Sequence, residues 1–172
     1  MIKFGISRNY IPDWTIVSAI REIFQNYIDF GEYDVVKNDV GDGKVRITIS
    51  NKYEPDSLEF LKIGFTNKSS ANIGGHGEGL KLAGMIFHRQ ELDFVVRSKL
   101  CSLKPVWYDD SDIGECYGLE KEPPEVMSGF TVSFIASKDD VAVFDNSRVE
   151  TEDIVFKTGY GSIVNKPVVI SM

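Results

Sequence analysis

Two stretches of this chain carry residue types at spacings that could do chemistry. In the first, Glu22, Asn26 and Asp29 recur at steps of four and three. On a helix, at about 100° per residue, the three fall within a stripe of about 60°. Two carboxylates and one amide on a single line can hold a divalent cation through the Asn26 oxygen, because hard cations prefer oxygen ligands. They can also place a water beside Glu22 acting as general base. An ordinary solvated helix face has the same appearance, and both readings stay open at this point.

The second stretch is Ile73-Gly-Gly-His-Gly-Glu-Gly-Leu-Lys81, with Gly74, Gly75, Gly77 and Gly79 placed directly before an apolar helical segment. Glycines let a backbone approach a ligand closely. A helix N-terminus adds unpaired amides and partial positive charge. Together they make a phosphate cradle, with Lys68 and Lys81 on either side as point charges. The Gly-Lys-Ser/Thr ending of a Walker A loop is missing. The preceding segment is polar and not a strand, which argues against a dinucleotide fingerprint. A flexible connection between elements is the plainer alternative.

The elements that must position these residues follow from periodicity. Ile16, Val17, Ile20, Ile23, Phe24, Tyr27 and Ile28 recur at three- and four-residue steps, which predicts a helix from Pro12-Asp13 to about Phe30, stopped by Gly31. A polar turn over Asn38–Gly43 leads into the alternating run Lys44–Ser50, a strand. Pro55–Ile63 reads as a short helix capped by Asp56 or Ser57, Gly64–Gly79 as a loop, and Leu80–Arg89 as a second apolar helix. Strands are expected at Glu91–Leu100, Lys104–Tyr108, Gly129–Ser137 and Ile154–Lys157, with a last β segment around Gly159–Pro167. The acidic stretch Asp109–Glu125 reads as a long surface connection. Helices early and strands late predict an α+β, two-layer sandwich: one mixed, mostly antiparallel sheet covered by helices on one face.

Composition sets the outer limits. The chain has 172 residues, 42% of them hydrophobic and 26% charged, enough for one domain with a real core, expected to span 1–172. Its formal charge of -7 disfavours strong direct binding to nucleic acid, which depends on Lys and Arg neutralising phosphates. No apolar run approaches membrane-spanning length, and Met1-Ile-Lys-Phe-Gly-Ile-Ser-Arg8 lacks a signal-peptide core, so a cytoplasmic protein with no membrane partner is expected. Cys101 and Cys116 lack the paired spacing of a zinc or redox site and are read as reduced thiols. His76 and His88 are too separated to suggest a metal cluster.

Order and spacing together resemble the GHKL superfamily, the ATP-binding fold of DNA gyrase B, heat-shock chaperone, MutL and sensor histidine kinases. Glu22-Ile-Phe-Gln-Asn26-Tyr-Ile-Asp29 looks like its N box, and Ile73-Gly74 through Gly79-Leu80 like its second glycine box. Ile47–Asn51 sits where the first glycine box would end its strand. Gly64-Phe-Thr-Asn-Lys68-Ser69 resembles the start of the ATP lid, and Ser128-Gly129-Phe-Thr-Val-Ser-Phe134 the closing Gly-Thr strand. These motifs run from residue 22 to 134, roughly two thirds of the chain.

The resemblance implies a Bergerat-type fold binding ATP and Mg²⁺. Glu22 would activate water, Asn26 would coordinate Mg²⁺, and Asp29 would support them. Gly74, Gly75, Gly77 and Gly79 would pass their backbones beside the triphosphate, with Lys68 near its charged end and Lys81 as a further contact. Asn51-Lys-Tyr-Glu-Pro55 replaces the family's Asp-x-Gly-x-Gly. An Asn can donate as well as accept, so it suits adenine or guanine. Phe130 stands where the closing Thr is usual; Thr131, one place along, needs a register shift or bulge to take its role. The relatives' second domain, which supplies a catalytic lysine on dimerisation, exceeds this length. Weak or partner-dependent ATPase activity, switching a protein partner or a second copy, is therefore expected. The alternative is a degenerate GHKL-like interaction module that does not need nucleotide.

Overall fold

Thr15 and Ser18 start the first helix by exchanging bonds. The Ser18 amide donates to Thr15 Oγ1 at 3.3 Å, and the Thr15 amide donates to Ser18 Oγ at 3.4 Å. This reciprocal cap sets the start of α1 (Ile16–Phe30) three residues beyond Asp13, where the sequence expectation placed it. A computed structural model describes residues 1–30, 32–58, 78–126 and 128–147 of the chain, side chains of Asp29 and Phe30 excepted. The expected Gly31 stop, most of the Pro55–Ile63 helix, the lid-like loop, and the β segments after residue 150 lie outside the described residues.

The described strands are β1 (Ile2–Ser7), β2 (Asp34–Gly41), β3 (Lys44–Asn51), β4 (Phe94–Ser98), β5 (Ser102–Asp110), β6 (Gly114–Glu122) and β7 (Phe130–Ser137). They form one sheet in the order β1-β6-β5-β4-β7-β3-β2. Every paired neighbour runs antiparallel, so the sheet is wholly antiparallel among the described residues. Two further helices, α2 (Gly79–Arg89) and α3 (Lys138–Ser147), complete the α+β sandwich.

Alternation explains why the helices share one face. Ile47 and Ile49 of β3, Phe94 and Val96 of β4, and Val132 and Phe134 of β7 join Ile20, Ile23 and Phe24 of α1 and Ile86 and Phe87 of α2 in one core. Their strand neighbours point the other way; there Thr48 Oγ1 and Ser133 Oγ lie 3.1 Å apart. Burying an aliphatic or aromatic side chain of this kind contributes about 1.5–3 kcal/mol. The layers meet closely at Gly84, where an added Cβ would sit 2.6 Å from Tyr117 Oη and 2.9 Å from Phe94 Cε1.

Four elements differ from expectation. β1 and β2 were not expected as strands, Asp109–Glu125 is mostly strand and hairpin instead of a surface connection, and α3 was not expected at all. In that hairpin, Asp110 Oδ1 accepts from the Asp112 and Ile113 amides at 3.1 and 3.2 Å, turning the chain from β5 into β6. For α3, the Asp140 amide donates to Ser137 Oγ at 3.0 Å, an N-cap that positions its first turn. Among the described residues, no helix is long and apolar enough to cross a membrane.

The C-terminal end of α2 holds the segment that follows β1. Arg89 donates to the carbonyls of Arg8, Tyr10 and Ile11 at 3.1 to 3.3 Å. His88 stacks on Trp107 at 5.0 Å, and Arg8 lies over the same indole while pairing with Glu115. Burial and the nearby Arg8 charge hold the His88 imidazole below its ordinary value, against a smaller upward pull from Glu115. Its folded state therefore binds a proton less readily than the unfolded chain, and stability rises with pH. The loss begins as pH falls through the unfolded value of about 6.5 and stops growing below the folded one. In thermal melts between pH 7.5 and 5.5, His88→Phe, which keeps the stack, is expected to show a shallower decline than wild type. An identical decline would exclude His88 as its source.

Candidate functional site

The site begins where α1 and α2 touch. Gly79, the first residue of α2, lies on Glu22: a Cβ built there would be 2.5 Å from Glu22 Oε2 and 3.3 Å from its Cβ. Only a residue without a side chain leaves that carboxylate where it is. The other oxygen, Oε1, accepts from Arg21 at 3.0 Å, and the Glu22 side chain is 19% exposed. One oxygen is thus ion-paired and the other is packed against the glycine.

Asn26 follows one turn along. Its Nδ2 donates to the Glu22 carbonyl at 2.8 Å, which fixes the nitrogen against the helix and turns Oδ1 away from that carbonyl. An oxygen so directed suits a hard cation. The side chain of Asp29 lies outside the described residues, as do Lys68, Gly74, Gly75 and Gly77. Among the described residues no group of three or more His, Cys, Asp or Glu is gathered to hold a metal.

At the start of α2, the N-cap residue Glu78 makes no side-chain bond to the first-turn amides. Lys81 is buried, 3% exposed, and that burial pushes its ammonium down to about 8, with Glu78 pulling the other way. It stays mostly charged at neutral pH. At about 100° per residue, Lys81 lies about 160° around α2 from Gly79, the residue seated on Glu22.

Asn51 is linked to α1 indirectly, through Tyr27, the residue after Asn26. The buried Tyr27 hydroxyl faces the Ile49 carbonyl at 2.9 Å and the Phe130 carbonyl at 3.3 Å, sharing its one proton between them. Burial raises this phenol far above its ordinary value, so it remains a donor at any physiological pH. Asn51 pairs with Phe130 across the strands and accepts from the Tyr53 amide through Oδ1 at 3.1 Å. Its Nδ2 is buried without a hydrogen-bond partner.

Thr131 does not join them. The β3–β7 register is continuous from Lys44↔Ser137 to Asn51↔Phe130, so no bulge rotates Thr131 onto the side that Phe130 faces. It pairs with Ser50 and Arg97 on the face opposite the helices. The structure brings together Glu22, Asn26 and Gly79, and ties Asn51 to α1 only through its strand partner Phe130, whose carbonyl faces the Tyr27 hydroxyl. It adds Arg21 and Tyr27, which spacing did not single out. Arg21 had a visible signal, a cation adjacent to the carboxylate, and Tyr53 had one as a departure from the family's glycine.

No family model and no curated protein matches the chain. Among solved structures it is similar to the ATPase region of Saccharomyces cerevisiae topoisomerase II, with 14% identity and a TM-score of 0.43, covering 86% of this chain and 48% of that one. It is also similar to the same region bound to ICRF-187 (dexrazoxane), with 14% identity, a TM-score of 0.41 and the same coverage. The chain spans about half the length of these structures.

Proposed function

We propose that this chain is a GHKL-type domain that binds a nucleoside triphosphate with Mg²⁺, hydrolyses it weakly or only with a partner, and uses it to switch that partner. ATP is the nucleotide the resemblance implies. The observation that carries this reading is the seat of Gly79 on Glu22, which joins the acidic stripe of α1 to the amide-bearing start of α2. Phosphates would lie along the α2 N-terminus, and Asn26 would hold Mg²⁺, which neutralises phosphate charge when bound. Glu22 would orient and deprotonate the attacking water.

The chain's own residues fit such a ligand in two respects. Gly79 keeps the Glu22 carboxylate at the start of α2, where any side chain would displace it, and Asn51 carries a buried donor that wants an acceptor. Calorimetric titration with Mg²⁺ and ATP or GTP tests the proposal. Saturable binding of at least one is expected, weakened by Asn26→Ala. At ligand concentrations about 100 times Kd, linkage adds about 2.7 kcal/mol of stability, visible as a melting shift. Absence of both binding and shift would refute it.

A second reading, a protein-binding module that works without nucleotide, is favoured by β2. All eight of its residues are exposed, Val36 at 52%, and among the described strands it forms one edge of the sheet. Exposed edges pair readily with another strand. Sedimentation of wild type against Val36→Lys, each with and without nucleotide, separates the readings: self-association that ignores nucleotide and falls with Lys supports the second.

A further inference from the structure

The polarity of Asn51 is set by its own backbone neighbourhood. The Tyr53 amide donates to Oδ1, so the oxygen is fixed there; the amide group turned over would oppose donor to donor. The nitrogen end is consequently the one left buried and unpartnered. A buried donor in that state is costly, and a ligand that brings an acceptor removes the cost. Tyr53, two residues on, and Phe130, the strand partner of Asn51, meet edge to face with ring centroids 6.1 Å apart and planes at 65°. That combination fits a flat heterocycle with one edge to be read.

Building on the nucleotide reading above, we propose that Asn51 reads the base as a donor. The site then selects a purine with a carbonyl oxygen on the edge facing Asn51, guanine or hypoxanthine, over adenine. Adenine's exocyclic amino group would face Nδ2 as donor against donor. A carboxylate at position 51 would offer only acceptors and favour the amino purine. The Tyr53 amide makes the difference, because it occupies the oxygen that would otherwise turn toward an amino group.

The test is equilibrium binding of GTP, ITP, ATP and inorganic tripolyphosphate to the full chain with Mg²⁺. GTP and ITP are expected to bind at least about tenfold more tightly than ATP. Asn51→Asp is expected to reverse the order, and Asn51→Ala to bring the three nucleotides within about twofold of one another. ATP binding as tightly as GTP and ITP to wild type overturns the base assignment and leaves the nucleotide reading standing. Tripolyphosphate matching all three nucleotides also overturns it, since no base is then read. No binding by any nucleotide overturns both. Should Asn51→Asp fail to melt cooperatively, the Ala variant decides: an unchanged preference for GTP and ITP overturns the assignment.

Discussion

Gly79→Ala is expected to leave the fold standing and disable the site. The new methyl would occupy a point 2.5 Å from Glu22 Oε2. That oxygen ends a flexible side chain, so the carboxylate can swing aside at small cost, and the 3.3 Å approach to Glu22 Cβ needs only a few tenths of an ångström. Ala in place of Gly also favours the helix by about 1 kcal/mol. Melting should therefore change little in either direction. Function should change much more. A displacement of about 1 Å at a reacting group can cost about 10²-fold in rate, and the Glu22 carboxylate oxygen would have to move by nearly that to reach ordinary contact. Nucleotide turnover is expected to fall by about two orders of magnitude, with circular dichroism and melting temperature near wild type. A stable variant with full turnover would remove Glu22 from the role of general base. Arg21→Ala separates position from charge: it leaves Gly79 seated on Glu22 and releases Oε1. Its loss of turnover should be smaller than that of Gly79→Ala.

What could be read from the sequence, and what could not, follows from the range of the interactions. The line of Glu22 and Asn26 was visible because helical spacing alone sets which residues share a face. β3 and β7 were visible because each buries one side, so their apolar residues alternate. β2 buries none of its eight residues and therefore carries no such pattern; its turn residues were all that showed. β6 hides its pattern differently. Cys116, Tyr117, Gly118 and Leu119 are buried in succession, and Gly118 is kept bare by the Ile2 carbonyl, 2.8 Å from where its Cβ would be. α3 buries only Val141 and Phe144, too few for a periodic signal. Gly79 was legible as part of a glycine cluster. Its seat on Glu22 was not, because that contact joins segments 57 residues apart in sequence and depends on how α1 packs on α2. Thr131 shows the converse case: its sequence position suggested a role, and an unbroken register removed it from that face.

Gly129→Ala is expected to be the most destabilising small substitution in the described chain, and for reasons opposite to those at position 79. Gly129 has φ +76, and its missing Cβ would stand 2.5 Å from the Asn51 carbonyl oxygen. The left-handed backbone costs an L-residue about 1–2 kcal/mol. The clash is with backbone, which cannot rotate away, and forcing apart the end of the β3–β7 ladder adds about 1–3 kcal/mol. A loss of roughly 2–5 kcal/mol is a large share of the 5–15 kcal/mol that holds a domain together. Gly114→Ala is the control. It shares the left-handed conformation, at φ +88, but has nothing within 4 Å of its added Cβ, so only the strain of about 1–2 kcal/mol applies. Urea titrations of the two variants should differ in midpoint at similar slope, Gly129→Ala unfolding first. The same shift would carry Asn51 out of register with Phe130, so base-dependent binding should fail in Gly129→Ala even at temperatures where it remains folded. Equal midpoints for the two variants would show that the β3–β7 end yields easily, and that Asn51 is not held rigidly enough to read a base.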